Sequence, residues 1–248
     1  MGTGTSGFSR VPWHNRIMCG RFVQSQAAER YAEFLGVHEI RIDPLPPSYN
    51  VAPTDNVYAV AEHEGARLLG SFRWGLLPFW AKDKKVAARN INARSETAAG
   101  KPTFKESIAK RRCLIPADGF YEWQVKEKGK LPHYIFNKDG SPLVFAGLWS
   151  SWKDPESGER LKTCTILTGQ PNDLVAPIHD RMPVALGEDQ WAAWLDRDLV
   201  DPAAAATLLG TYPSDRMAFH PVSTLVNKVA NNTPELIEEL STPAATQP

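Results

Sequence analysis

Met18-Cys19-Gly20-Arg21-Phe22 places a cysteine directly after a methionine. If translation starts at Met18 and that Met is removed before the small residue, Cys19 carries both an α-amine and a thiol. An α-amine titrates near ~7.7–8.0, far below a lysine at about 10.4, so much more of it is a free nucleophile at neutral pH. Such a terminus can condense with an aldehyde to a Schiff base, after which the neighbouring thiol closes a five-membered thiazolidine. The competing reading is a small buried hydrophobe in a strand.

Three further segments supply polar groups of the kind such chemistry needs. In Asn90-Ile91-Asn92-Ala93-Arg94-Ser95-Glu96-Thr97, Asn92 and Arg94 are two residues apart and share a face if the segment is extended. An amide and a guanidinium on one face suit orientation of an amine and clamping of a phosphate. They can equally satisfy loop backbone groups and pack on an aromatic. In Gly119-Phe120-Tyr121-Glu122-Trp123-Gln124, alternation puts Phe120, Glu122 and Gln124 on one face and Tyr121, Trp123 and Val125 on the other. A carboxyl beside Phe on a partly apolar face is desolvated and raised in pKa, as a general acid at neutral pH requires. The alternative is a solvated outer face. In Ile178-His179-Asp180-Arg181-Met182-Pro183, a histidine between polar neighbours suits proton shuttling, or is an ordinary turn residue.

Arg73-Trp74-Gly75-Leu76-Leu77-Pro78-Phe79-Trp80 opens a basic stretch. From Arg73 through Arg112 there are eleven Lys/Arg and three Asp/Glu, interleaved with Trp74, Phe79, Trp80 and Phe104. Cations next to aromatics are what a single-strand groove uses, since bases stack while phosphates pair with the cations. The same residues also fit a core with a solvated lysine surface.

These segments sit on a chain of 248 residues with 28 Lys+Arg and 28 Asp+Glu, so a generic basic coat is excluded and any polyanion site is local. With 42% apolar and 23% charged residues, the chain can bury a full core without staples. Cys19, Cys113 and Cys164 are an odd count without metal-like spacing, which reads as a reducing compartment, cytoplasmic or nuclear, with no metal site and no cofactor. The apolar run Leu143 to Trp149 is too short to span a membrane. Residues 1–17 read as a disordered leader or a mis-called start, 18–240 as one domain and 241–248 as a loose tail.

A helix capped by Ser25 is expected to present Ala28, Tyr31, Ala32 and Leu35, with Gly36 as its stop. Pro44, Pro46 and Pro47 argue against regular structure as far as Thr54, and Val57 to Ala61 with Arg67 to Trp74 read as a hairpin turned at Glu64-Gly65. Further strands are expected at 112–115, 120–125, 133–136, 143–148, 163–167 and 183–186, and helices at 104–111, 188–195, 202–209 and 234–240. Strands and helices do not alternate as βαβ units would, so the fold class is α+β.

Taken in order, MCGRF, the Asn50 to Thr54 segment with Ala52-Pro53, RWGLLPFW, NARSET, CLIPADGFYEW, TILTGQPN and IHDRMP resemble the SRAP (SOS response-associated peptidase) family of abasic-site processing proteins, from Met18 to the mid-220s. The resemblance implies a single compact α+β domain built on a mixed, mostly antiparallel, partly barrel-like sheet surrounded by helices. It also implies a monomer that binds single-stranded DNA containing abasic sites, in the DNA damage response, and traps the ring-opened aldehyde as a thiazolidine at an N-terminal cysteine. By motif, Cys19 supplies amine and thiol, Asn92 positions the amine, Glu122 shuttles protons, and His179 assists acid/base steps. Arg94 and Arg181 hold phosphates, Pro53, Trp74 and Trp80 shape or stack the strand, Asn50 belongs to the same DNA-binding set, and Thr168 lines the pocket. One departure stands out: 18 residues precede Cys19, so the chemistry requires a start at Met18 or removal of the leader. Two other functions are open to the same residues, a thiol autoprotease or peptidase and a non-catalytic single-strand-binding module, and a Schiff base also permits lyase activity.

Overall fold

The computed structural model describes residues 19–240, so the leader, the Met18 start and the tail lie outside the described residues. The first strands are β1 (Phe22–Gln24), β2 (Glu39–Ile40), β3 (Ser48–Val51), β4 (Asn56–His63), β5 (Ala66–Trp74) and β6 (Asn92–Arg94). They are followed by β7 (Arg112–Ala117), β8 (Gly119–Val125), β9 (Lys130–Asn137), β10 (Leu143–Lys153), β11 (Arg160–Gly169), β12 (Met182–Pro183) and β13 (Met217–Pro221). The helices are α1 (Ala28–Phe34), α2 (Ser95–Ala98), α3 (Pro102–Lys110), α4 (Glu188–Leu195) and α5 (Pro202–Ala206).

β11, β10, β7, β4 and β5 pair in that order and all antiparallel, and a parallel pairing of β5 with β11 at Arg73↔Thr163 and Trp74↔Cys164 closes them into a five-strand ring. A closed ring has an inside and an outside, and both are covered. Val57, Ala59, Phe72, Cys113, Ile115, Phe145, Cys164 and Ile166 fill the inside. Tyr58, Val60, Leu69, Leu114, Val144, Ala146 and Leu148 face outward beneath α1, α3 and α4. That double burial is why these strands read as near-continuous apolar runs instead of clean alternation. The β4–β5 turn has Glu64 at φ 53° and Gly65 at φ 78°, the two left-handed residues of a tight primed hairpin turn.

A second sheet, in the order β13-β9-β8-β1-β3 and antiparallel throughout, lies against one end of the ring. Phe22 and Phe120 from this sheet enter the ring interior, Phe22 edge-on to Trp74 at 5.0 Å and Phe120 edge-on to Phe145 at 6.0 Å. The architecture is α+β with a mixed, mostly antiparallel, barrel-like sheet, as expected.

Several local expectations are corrected. Ser25 does not cap α1: its hydroxyl goes to Asp118 Oδ2 at 2.7 Å, and the residue before the helix is Ala27. Despite the prolines, residues 48–51 form β3, because β1 offers them an edge to pair with. β13 carries no strong alternation that would mark it as a strand; β9 recruits it from Met217↔Asn137 to Pro221↔His133. The strand expected at 183–186 shortens to β12, the helix at 202–209 to α5, and residues 234–237 make a 3₁₀ turn.

Arg112 explains how the helices attach. It is buried, and its guanidinium donates to the carbonyls of Trp194, Ile108, Ala109, Leu199 and Asp196. Ile108 and Ala109 lie in the last turn of α3 and Trp194 in that of α4, so one cation serves the negative ends of two helices.

Candidate active site

β1 lies beside β8 with Phe22 opposite Phe120, so the chain leading into β1 runs alongside the residues that follow Phe120. The Cys19 backbone N–H thereby donates to Glu122 Oε1 at 2.8 Å, in a buried contact. Cys19 itself is buried and holds a φ of 36°, the left-handed side of backbone space that non-glycine residues seldom occupy. Asn92 arrives from another direction. β6 is laid parallel on β11, with Asn92 opposite Ile166 and Arg94 opposite Thr168, and Asn92 Nδ2 donates to the Cys19 carbonyl at 3.4 Å.

Glu122 is only 2% exposed, so the solvated-face reading is excluded. Burial pushes its carboxyl up from 4.5 to about 8, against the opposing pull of the Cys19 and Trp123 backbone N–H groups, with the Asp180 charge adding to the rise. The acid therefore holds its proton at neutral pH. Burial, and then Glu122, also raises the Cys19 thiol well above its ordinary value. A thiol held protonated is a poor start for a thiolate peptidase, which needs the opposite shift.

His179 is buried in the loop after β11, which Gln124 Nε2 ties to β8 by donating to the Pro177 carbonyl at 3.0 Å. The Arg181 backbone N–H points at His179 Nδ1 from 3.1 Å. Asp180 Oδ1 is 3.1 Å from the same Nδ1. Asp180 thus acts on both His179 and Glu122, although nothing in the linear sequence ties it to Glu122.

The expected DNA-facing residues divide. Arg94 is exposed, Pro53 is half-buried beside Thr54, and Trp80 and Phe79 are 53% and 61% exposed. Thr168 is fully buried, and its Oγ1 has no hydrogen-bond partner among the described residues. Trp74 is fully buried, with Nε1 donating to the Ile91 carbonyl at 2.8 Å, so stacking on a base is closed to it and it braces the segment leading to Asn92 from beneath. The Asn50 amide is also buried. It donates to the carbonyls of Val226, Lys228 and Asn231 and accepts from Arg21, which makes it a clasp for the 224–231 loop instead of a surface contact. Arg181 forks onto both oxygens of Glu96 and donates to the Thr168 carbonyl, so its charge is already paired. This pairing holds the Glu96 carboxyl below its usual range.

The basic stretch from Arg73 to Arg112 is not one groove. Lys84 pairs with Asp154, and Lys110, Arg111 and Arg112 lie at the opposite end of the ring from Cys19. Linear spacing could not reveal this, because α3 carries the chain from one end of the ring to the other. Among the described residues no group of three His, Cys, Asp or Glu could hold a metal, and no helix is long and apolar enough to cross a membrane.

The family model described as SOS response associated peptidase (SRAP) matches residues 18–229. The abasic site processing protein YoqW of Bacillus subtilis is 43% identical over 227 residues, covering 89% of this chain and 99% of that protein. YedK of Escherichia coli, described in the same words, is 33% identical with the same coverage, and HMCES of Xenopus tropicalis is 36% identical over 78% of this chain and 66% of its own. A crystal structure of a Bacteroides thetaiotaomicron protein superposes with a TM-score of 0.80 at 27% identity, covering 89% of this chain and 99% of that one. With a family model spanning the ring, the second sheet and the Cys19, Asn92, Glu122 and His179 segments, this chain belongs to the SRAP family.

Proposed function

We propose that this protein processes abasic sites in DNA by forming a covalent thiazolidine between Cys19, as first residue, and the ring-opened sugar aldehyde. The observation that carries the reading is the buried 2.8 Å contact between Cys19 N and Glu122 Oε1. It puts the nitrogen that must become the nucleophile against a carboxyl whose burial favours the protonated form. The names of the family relatives support the substrate class.

In the neutral amine, the nitrogen lone pair forms a C–N bond to the aldehyde carbon, and one of the two protons on that nitrogen passes to the former carbonyl oxygen, giving the neutral carbinolamine. Glu122 protonates the resulting hydroxyl, which leaves as water and gives the iminium. The Cys19 sulfur then adds to the same carbon, and its proton passes to the Glu122 carboxylate, restoring the acid. The net change is loss of one water. Asn92 orients Cys19 through its carbonyl, and the His179 imidazole assists sugar-ring opening as an acid or base. Arg94 and the exposed rings of Trp80 and Phe79 suit a single strand, whose bases stack while its phosphates pair with cations.

A chain beginning at Cys19, incubated with single-stranded DNA carrying one abasic site, should give a heat-stable adduct whose mass is that of protein plus DNA less one water. Undamaged DNA should give none. An undiminished yield from Cys19→Ala would overturn the reading. Intact mass of the protein purified from its native host tests the requirement that Cys19 is the first residue.

A further inference from the structure

The ring has two mouths. Along β7 the Ala117 end, and along β11 the Thr168 end, open toward β1, β6 and β8, where Cys19 lies. The Arg112 end of β7 and the Lys162 end of β11 open the other way, onto a cavity of about 510 Å³. That volume falls in the range of small-molecule sites, roughly 300–1,000 Å³.

The lining of this cavity is strongly one-signed. It holds Arg41, Lys110, Arg111, Arg112, Lys162 and Arg197, against the single carboxylate of Glu62. Arg41 pairs with Glu39 at 2.9 Å and Arg111 with Glu106 at 2.8 Å, while Arg112 spends its donors on uncharged carbonyls. Lys110, Lys162 and Arg197 are exposed and make no ion pair among the described residues. The positive charge is therefore uncompensated, in a chain whose net charge is zero. The cavity also has a flat wall: Trp149 packs edge-on against Phe72 at 5.8 Å, and the Arg111 guanidinium lies over the Trp149 ring at 5.9 Å. A planar guanidinium backed by indole is a surface on which a planar base stacks.

We propose that this second mouth is a binding site for a phosphate-bearing ligand of the nucleotide class, with its phosphates toward Lys110, Lys162 and Arg197 and its base against the Arg111–Trp149 wall. The ligand is either a free nucleotide or a nucleotide unit of a nucleic-acid strand, since both present the same chemistry. The proposal is independent of what happens at Cys19.

The test uses the full chain carrying Cys19→Ala, so that no covalent product forms, and measures binding of ATP, inorganic triphosphate and an undamaged oligothymidylate by calorimetry at low ionic strength. ATP should bind saturably and more tightly than triphosphate, and Lys162→Glu with Arg197→Glu should weaken it at least about tenfold, a loss of roughly 1.4 kcal/mol. Should ATP not bind while the oligonucleotide does, with the same loss in the variant, the source is a strand and the proposal stands. Equal affinity for triphosphate and ATP overturns the nucleotide class, because the wall then contributes nothing. Absence of binding by all three probes, or binding unchanged in the charge-reversed variant, overturns the site. Lys110→Ala, an exposed change, repeats the comparison should the double variant fail to fold, and retention of affinity there also overturns the site.

Discussion

At the scale of single residues, the Cys19–Glu122 contact determines what pH does to this protein. While a peptide bond precedes Cys19, its nitrogen is an uncharged amide, and the Glu122 carboxyl, lifted by burial, should titrate at about 8 by carbon NMR. In a chain that begins at Cys19 the neighbour becomes an ammonium, which lowers the carboxyl, and the two groups titrate as a coupled pair. The folded pKa lies above its ordinary 4.5, so Glu122 contributes stability that is full below about 4.5 and lost as pH rises through about 8. Urea unfolding of the leader-bearing chain should show that decline, and Glu122→Gln should remove it. The same substitution in the Cys19-first chain should slow adduct formation by about 10²–10⁴-fold, the range for losing a positioned acid, with little loss of DNA affinity. Cys19→Ser keeps the amine and replaces the thiol, so the expected product is a reversible imine, seen on gels only after borohydride reduction.

At the scale of elements, two residues should be sensitive because of what they hold together. Arg112→Met leaves several helix-end carbonyls without a donor, and it should lower unfolding free energy by about 3 kcal/mol in denaturant titrations. Gly75 follows β5 at φ 126°, and a Cβ there would stand 2.7 Å from the Ala87 carbonyl oxygen. Gly75→Ala should therefore displace the segment bearing Trp80 and weaken strand binding, measured by anisotropy, while Gly65→Asn in the hairpin turn, which tolerates positive φ, should leave it unchanged. The hairpin, α1 and α4 were legible in the sequence because their signals are local: a two-residue turn, or apolar residues at helical spacing. β3 and β13 were not, since each forms only because a partner strand from a distant part of the chain offers an edge.

For the whole molecule, closure of the ring by one parallel pairing explains both what the sequence revealed about the site and what it hid. Cys19, Asn92, Glu122 and His179 each stood out as residue types, but nothing in their linear order shows that β1, β6 and β8 gather at one mouth. Trp74 and Asn50 stood out for the same reason and proved to be internal supports, because chemistry-bearing types are also good braces. The torsion at Cys19 has a consequence of its own. A φ of 36° exists only while a preceding carbonyl carbon defines it, so a chain that begins at Cys19 has no such torsion to hold. Strain of this kind is worth about 1–3 kcal/mol, and the fold keeps it for as long as the peptide bond ahead of Cys19 is intact. A chain beginning at Cys19 should therefore melt at a higher temperature than the leader-bearing one in a calorimetric scan, because the left-handed torsion no longer has to be held.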